Sequence, residues 1–174
     1  MEPQEDTTVT VEEKKQPWPI SLLFDNNISM WKYVLRTGLI SLVPSLAIAM
    51  ILGFAGIITE DTSPQFEGSA LGLLFLMVVV SPPVETLIMA GGLWILSFIT
   101  KKPVRLAIMS AIVWAVVHSL IAPAWGLGVI WPFFVFSCAY LGWRRHSWRR
   151  AILVTSCVHA FQNLLPAIAA IATL

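Results

Sequence analysis

Five apolar runs, residues 37 to 59, 68 to 99, 106 to 122, 127 to 142 and 151 to 173, make up most of the chain after residue 36. A helix needs about 20 apolar residues to cross the hydrocarbon layer, and it must satisfy its backbone internally because lipid offers no hydrogen-bond partner. The runs are near or above that length, those at 106 to 122 and 127 to 142 being short and tight. Only 12% of the residues are charged and the mean hydropathy is +0.78, against roughly 25% charged in an ordinary soluble domain. The chain therefore reads as an all-α polytopic membrane protein of about five transmembrane helices. The second run is too long for one ordinary helix, and it is expected to be broken at Pro82-Pro83, since proline removes a backbone donor and crowds the preceding turn. A kink, two half-spans and a reentrant segment all satisfy that expectation.

Ahead of the spans, residues 1 to 17 are polar and acid-rich, without the basic start or apolar core of a signal peptide, and read as a disordered acidic tail. Residues 18 to 36 interleave Trp18, Leu22, Phe24, Trp31 and Tyr33 with polar groups, the pattern of a segment lying at the membrane interface. The membrane domain is then 37 to 174. Lys32 and Arg36 precede the first run, Lys101, Lys102 and Arg105 follow the second, and Arg144, Arg145, Arg149 and Arg150 separate the fourth and fifth. By the positive-inside rule those places are cytoplasmic. The loop "TEDTSPQFEG" carries acids without a base, and "APAWG" carries no charge, so both fit the far side. Five spans then put the amino terminus inside and the carboxyl terminus outside, in an inner (plasma) membrane. A net charge of +1 supplies no basic field for nucleic acid, so composition leaves membrane lipid as the expected partner. Cys138 and Cys157 read as small buried hydrophobes.

One acid, Glu85, falls inside an apolar run. An ionised group at the bilayer centre costs at least about 2.5 to 3.5 kcal/mol on insertion scales, so such an acid implies function and a partner. His118 and His159 also lie in apolar runs, whereas His146, in "WRRHSWRR", belongs to a basic loop. Counted from the basic ends at about 1.5 Å per residue, Glu85, His118, His159 and Asn163 lie roughly 22, 20, 14 and 20 Å deep. Three helices thus bring polar groups to one level. On the last run Thr155, Ser156, His159, Gln162 and Asn163 recur at spacings of three and four and share one face. That face points into protein or water, as a functional site or as a polar seam joining helices.

A carboxylate beside histidines can act as general base on water, and His159 with Asn163 can donate to a developing oxyanion. Alternatively Glu85, His118 and His159 can ligate zinc; spacing alone does not separate the two. The chain contains no HExxH or GxGD motif and no Asp within a span, and the serine after Gly68 lacks a GxSG context.

Three segments in order, "PPVETLIMAG" with Pro82, Glu85 and Gly91, "WAVVH" ending at His118, and "HAFQN" from His159 to Asn163, resemble the motifs of the CPBP intramembrane proteases, the Abi or CAAX-protease family that includes the type II CAAX prenyl endopeptidases. The resemblance covers about residues 68 to 166. It implies an intramembrane endopeptidase with a membrane-associated peptide or protein as substrate, in which Glu85 activates water with His118 nearby while His159 and Asn163 hold the oxyanion. It favours a metal-free mechanism without cofactor, zinc on Glu85, His118 and His159 being the alternative. Thr86 and Ala90 stand where the family has a second glutamate and an arginine, and Met89 and Trp114 where it has phenylalanines. A non-catalytic member that binds a membrane peptide, as a bacteriocin-immunity protein would, is the rival implied by those departures. A proton-coupled carrier using Glu85 is a further rival, although no inverted repeat is visible.

Overall fold

The computed structural model describes residues 17–172; the expected disordered tail, apart from Pro17, lies outside them. Every regular element among the described residues is helical: α1 Ile20–Phe24, α2 Met30–Phe54, α3 Ala70–Phe75, α4 Ser81–Leu96, α5 Pro103–Ser119, α6 Pro123–Trp143 and α7 Trp148–Ile171. Four uninterrupted helical stretches are long and apolar enough to cross a membrane, Met30–Phe54, Ala70–Leu96, Pro123–Trp143 and Trp148–Ile171, and Pro103–Ser119 is a shorter apolar helix. The chain is a multi-pass membrane protein.

Helix α6 is the centre of the bundle. It packs against α5 along its length and also touches α1, α2, α4 and α7, and Phe133, Val135, Phe136, Cys138 and Ala139 on it are almost wholly buried. Close approach of α5 and α6 at their turn depends on Gly126, where a Cβ would lie 2.3 Å from the Ala115 carbonyl oxygen and 1.9 Å from Ser119 Oγ. The crossing of α2 and α7 depends in the same way on Gly38, which faces the Phe161 ring.

The expected break at Pro82-Pro83 takes a different form. The second run is one continuous helical stretch, and α3 joins α4 through a π-helical turn, Leu76–Val80, immediately before the prolines. In the α register the Met77 carbonyl would accept from Ser81 N–H; that N–H instead bonds Leu76 O, five residues back. The donor due to Met77 in the wider register is residue 82, a proline, which has none. The Met77 carbonyl is taken up by Asn163 on α7, whose Nδ2 donates to it at 3.0 Å. Helix α2 repeats the device. Pro44 leaves the Ile40 carbonyl without its donor, and Trp131 Nε1 on α6 bonds that oxygen at 2.9 Å. In lipid a freed carbonyl must find a partner on a neighbouring helix, and both prolines do so through a side chain.

The segment expected at the interface is a short helix, a turn and the start of α2, which begins at Met30 and so contains Lys32 and Arg36. Arg36 Nη1 pairs with Asp25 Oδ2 at 2.9 Å while Nη2 donates to the carbonyls of Leu22 and Asp25. The Arg36 hydrogen bond holds the Asp25 carboxyl below its ordinary value of 3.8, helped by the Asn27 N–H. Asn26 Nδ2 donates to Gly142 O at 2.9 Å, tying the approach to α2 to the end of α6.

Candidate active site

Glu85, His118 and His159 meet. Glu85 Oε2 lies 4.0 Å from His118 Nε2 and 4.0 Å from His159 Nε2. Each side chain comes from a different helix. Glu85 is one turn into α4, just past the prolines, and its other oxygen accepts a hydrogen bond from Ser81 Oγ four residues earlier on the same face. His118 occupies the last turn of α5, and its Nδ1 is 2.9 Å from the Trp114 carbonyl. A carbonyl only accepts, so Nδ1 carries a proton there and Nε2 is the nitrogen that faces Glu85. His159, mid-way along α7, lies flat on Phe136 with centroids 4.4 Å apart and meets the edge of Phe133. His118 is enclosed by Trp114, Trp125 and Phe133. Both imidazoles are buried, and Glu85 keeps 24% of its side chain accessible.

That accessible part faces a cavity of about 510 Å³, with Ser81, Glu85, His118, His159, Gln162 and Asn163 on its wall among mostly apolar neighbours. Leu42, Ser45, Leu46 and Ala49 of α2 close it opposite Leu76, Met77 and Ser81. Helix α2 packs on α6 and α7 but forms no packed pair with α4, so the cavity occupies the space between those two helices. Pro64 and Phe66, from the acidic loop between α2 and α3, lie over one end, where Phe66 meets Trp125 edge to face.

All four residues singled out from the sequence therefore share one cavity, although one role differs in detail. Asn163 already donates to Met77 O, so one of its two amide N–H groups remains for anything else. The polar face of α7 points inward. Thr155, His159 and Gln162 are buried while Leu153, Leu164 and Leu165 are exposed, and Thr155 Oγ1, Ser156 Oγ, His159 Nδ1 and Gln162 Oε1 are enclosed without a hydrogen-bond partner. Ser81 and the aromatic walls, Trp114, Trp125, Phe133 and Phe136, were not singled out. Ser81 and Trp114 each stand four residues before a site residue, and that spacing alone places them on its helical face. Thr86 is buried with its hydroxyl unpartnered, and Ala90 is half-buried against the apolar core.

Zinc ligands at roughly 2.0 to 2.2 Å from a tetrahedral ion lie about 3.4 Å from one another. Glu85 Oε2 is farther than that from both imidazoles, and among the described residues no three His, Cys, Asp or Glu side chains close into a ligand set. Comparison of the chain with protein-family models, with curated proteins and with solved structures finds no match in any of the three.

Proposed function

We propose that the protein is an intramembrane endopeptidase of the CPBP kind, cleaving a peptide bond in or near the membrane with water activated by Glu85. The observation that carries this reading is the equal 4.0 Å spacing of Glu85 Oε2 from two imidazole nitrogens inside one cavity. That spacing is too long for direct hydrogen bonds and suits a single bridging water about 2.8 Å from each atom. Glu85 takes a proton from the water, the hydroxide attacks the scissile carbonyl, and the oxyanion receives N–H bonds from His159 and from the free N–H of Asn163. Glu85 then returns its proton to the departing amine as the C–N bond breaks. His118, fixed by the Trp114 carbonyl, orients the water. The apolar walls and the unpacked space between α2 and α4 suit a substrate segment arriving from the bilayer. In this reading the basic segments lie in the cytoplasm of a cell with an inner (plasma) membrane, with the amino terminus inside and the carboxyl terminus outside.

Thr86 and Ala90 favour a second reading, a non-catalytic peptide binder, because neither offers Glu85 the acid or cation that the resembled family places there. Glu85→Gln separates the two. In a variant that inserts and folds normally, the peptide terminus generated by the enzyme disappears from the membrane proteome; a variant that keeps full cleavage or full phenotype overturns the protease reading. Cleavage is expected to survive exhaustive chelation in protein that elemental analysis finds free of stoichiometric zinc.

A further inference from the structure

The connection between α2 and α3 carries the two positive-φ residues found among the described residues, Gly56 at φ 70° and Gly68 at φ 132°. A Cβ at either would meet nothing within 4 Å, so glycine is there for its backbone freedom and not for space. The segment between them is tied to itself. Thr62 Oγ1 accepts from Thr59 N–H at 2.8 Å and donates to Ile57 O at 2.7 Å, and Gln65 Nε2 donates to Glu60 O at 2.8 Å. Among the described residues, its one hydrogen bond to the helices from α4 to α7 joins Ala124 N–H to Thr62 O at 2.9 Å. A short unit with its own internal bonds, one such outside bond and a permissive residue at each end has the build of a hinged strap.

That strap separates two spaces. Pro64 and Phe66 of the strap and Trp125 of α6 line the Glu85 cavity, and the same three residues line an outer hollow of about 730 Å³. Glu60, Asp61 and Gln65 stand on the outer hollow's wall and are exposed to water. Phe66 and Trp125 meet edge to face with ring centroids 6.1 Å apart, and Trp125 in turn lies perpendicular to the His118 ring at 4.6 Å. One ring from the strap and one from α6 therefore stand in series between the outer hollow and the imidazole.

We propose that the strap is a gate: turning about Gly56 and Gly68, it lifts Phe66 off Trp125 and opens the Glu85 cavity to the water of the outer hollow. The latch is one backbone hydrogen bond and one ring contact. Water takes over Ala124 N–H and Thr62 O as the strap lifts, so opening leaves neither group unpaired. Closed, the two rings keep bulk water from a mostly apolar cavity; open, they admit the small polar molecules that a reaction at Glu85 consumes or releases. The gate concerns access alone and does not depend on whether the cavity cuts peptide bonds.

The test uses the full chain carrying Ser45→Cys, a reporter on the α2 wall of the cavity, in phosphatidylcholine proteoliposomes with a permanently charged methanethiosulfonate on both faces. Its charge keeps the reagent out of the bilayer, and so off the lateral route between α2 and α4. Peptide mass spectrometry reads label at position 45 separately from Cys138 and Cys157. Labelling is expected to be slow in this parent, and Phe66→Ala, which removes one ring of the partition, should speed it at least about tenfold. Gly68→Ala leaves both rings in place and acts by straining the closed backbone, and should speed labelling by roughly five- to thirtyfold. Gly91→Ala, a helix position with open space for a methyl, should leave the rate unchanged. Size-exclusion chromatography establishes that each variant is folded. A folded Phe66→Ala that labels at the parent rate overturns the partition; acceleration by Phe66→Ala without any by Gly68→Ala makes the strap a fixed plug and overturns the gate.

Discussion

Replacing Asn163 by Ala removes the donor that serves the Met77 carbonyl, and the chain offers that oxygen no backbone N–H in its place because residue 82 is proline. Leaving a buried acceptor unpaired costs roughly 1 to 3 kcal/mol, while side-chain hydrogen bonds between membrane helices average about 0.6 kcal/mol with a maximum near 1.7. Met77 and Asn163 are both half-buried, so a loss of about 1 to 1.5 kcal/mol is expected for Asn163→Ala. Pro82→Ala supplies the missing N–H. In that background the Met77 carbonyl has a backbone donor, and Asn163→Ala should cost less than about 0.5 kcal/mol, a coupling near 1 kcal/mol. Pro82 is itself buried, and the packing lost on its replacement cancels in the double-mutant cycle. Equilibrium unfolding in mixed micelles, run on all four proteins, measures the coupling without reference to any activity. If Asn163→Ala costs the same with proline or alanine at 82, Asn163 does not serve Met77 and the account of the π turn is wrong. Activity gives a second contrast: should the double variant be as stable as Pro82→Ala yet still inactive, the free N–H of Asn163 is needed in the reaction itself.

Trp131→Phe should destabilise the fold by about 1 kcal/mol by orphaning the Ile40 carbonyl, and Pro44→Ala should relieve most of that loss in the same unfolding assay. Gly126→Ala forces a methyl onto the Ala115 carbonyl and is expected to cost roughly 1 to 3 kcal/mol as overpacking, seen as a lowered melting temperature in detergent; Gly91→Ala, whose Cβ meets nothing within 4 Å, should be neutral or slightly stabilising. The Asp25 carboxyl is held below its ordinary value by Arg36, so its contribution is fully present above the unfolded value and is lost as pH falls through the folded one. Asp25→Asn should flatten that part of the acid-unfolding profile.

The spans and the polar cluster were legible because lipid makes hydropathy an almost complete code for helix placement. Glu85, His118, His159 and Asn163 stood out as polar groups in apolar runs, and rise per residue was enough to bring them to one level. Helix ends were less legible. Lys32 and Arg36 looked like markers outside the first span, yet α2 starts at Met30, because Arg36 finds Asp25 and the Leu22 carbonyl instead of water. Proline was read as an interruption, whereas Pro44 and Pro82 are absorbed by Trp131 and Asn163, residues 87 and 81 positions away. Hydropathy along the chain carries no record of partners that distant. For the same reason the bond from Asn163 to the Met77 carbonyl was invisible: His159-x-x-x-Asn163 announces a shared face but not which helix stands opposite it.

The π turn sets a reading frame. Along the second span the lipid-facing residues step from Leu71 to Phe75 to Val79 by fours, then to Val84 by five, then to Ile88 and on to Ile95 at helical spacing. The single step of five, Val79 to Val84, begins at the end of the π turn Leu76–Val80, and the wide turn absorbs the extra residue so that one outer face continues. A one-residue deletion within 76–80 would leave the span as apolar and nearly as long. Every side chain beyond it would nonetheless swing by about 100°, carrying Glu85 off the imidazoles and toward lipid. In this helix a frameshift can occur in the fold without one in the gene, and its length at five valine- and leucine-rich positions matters more than their identity.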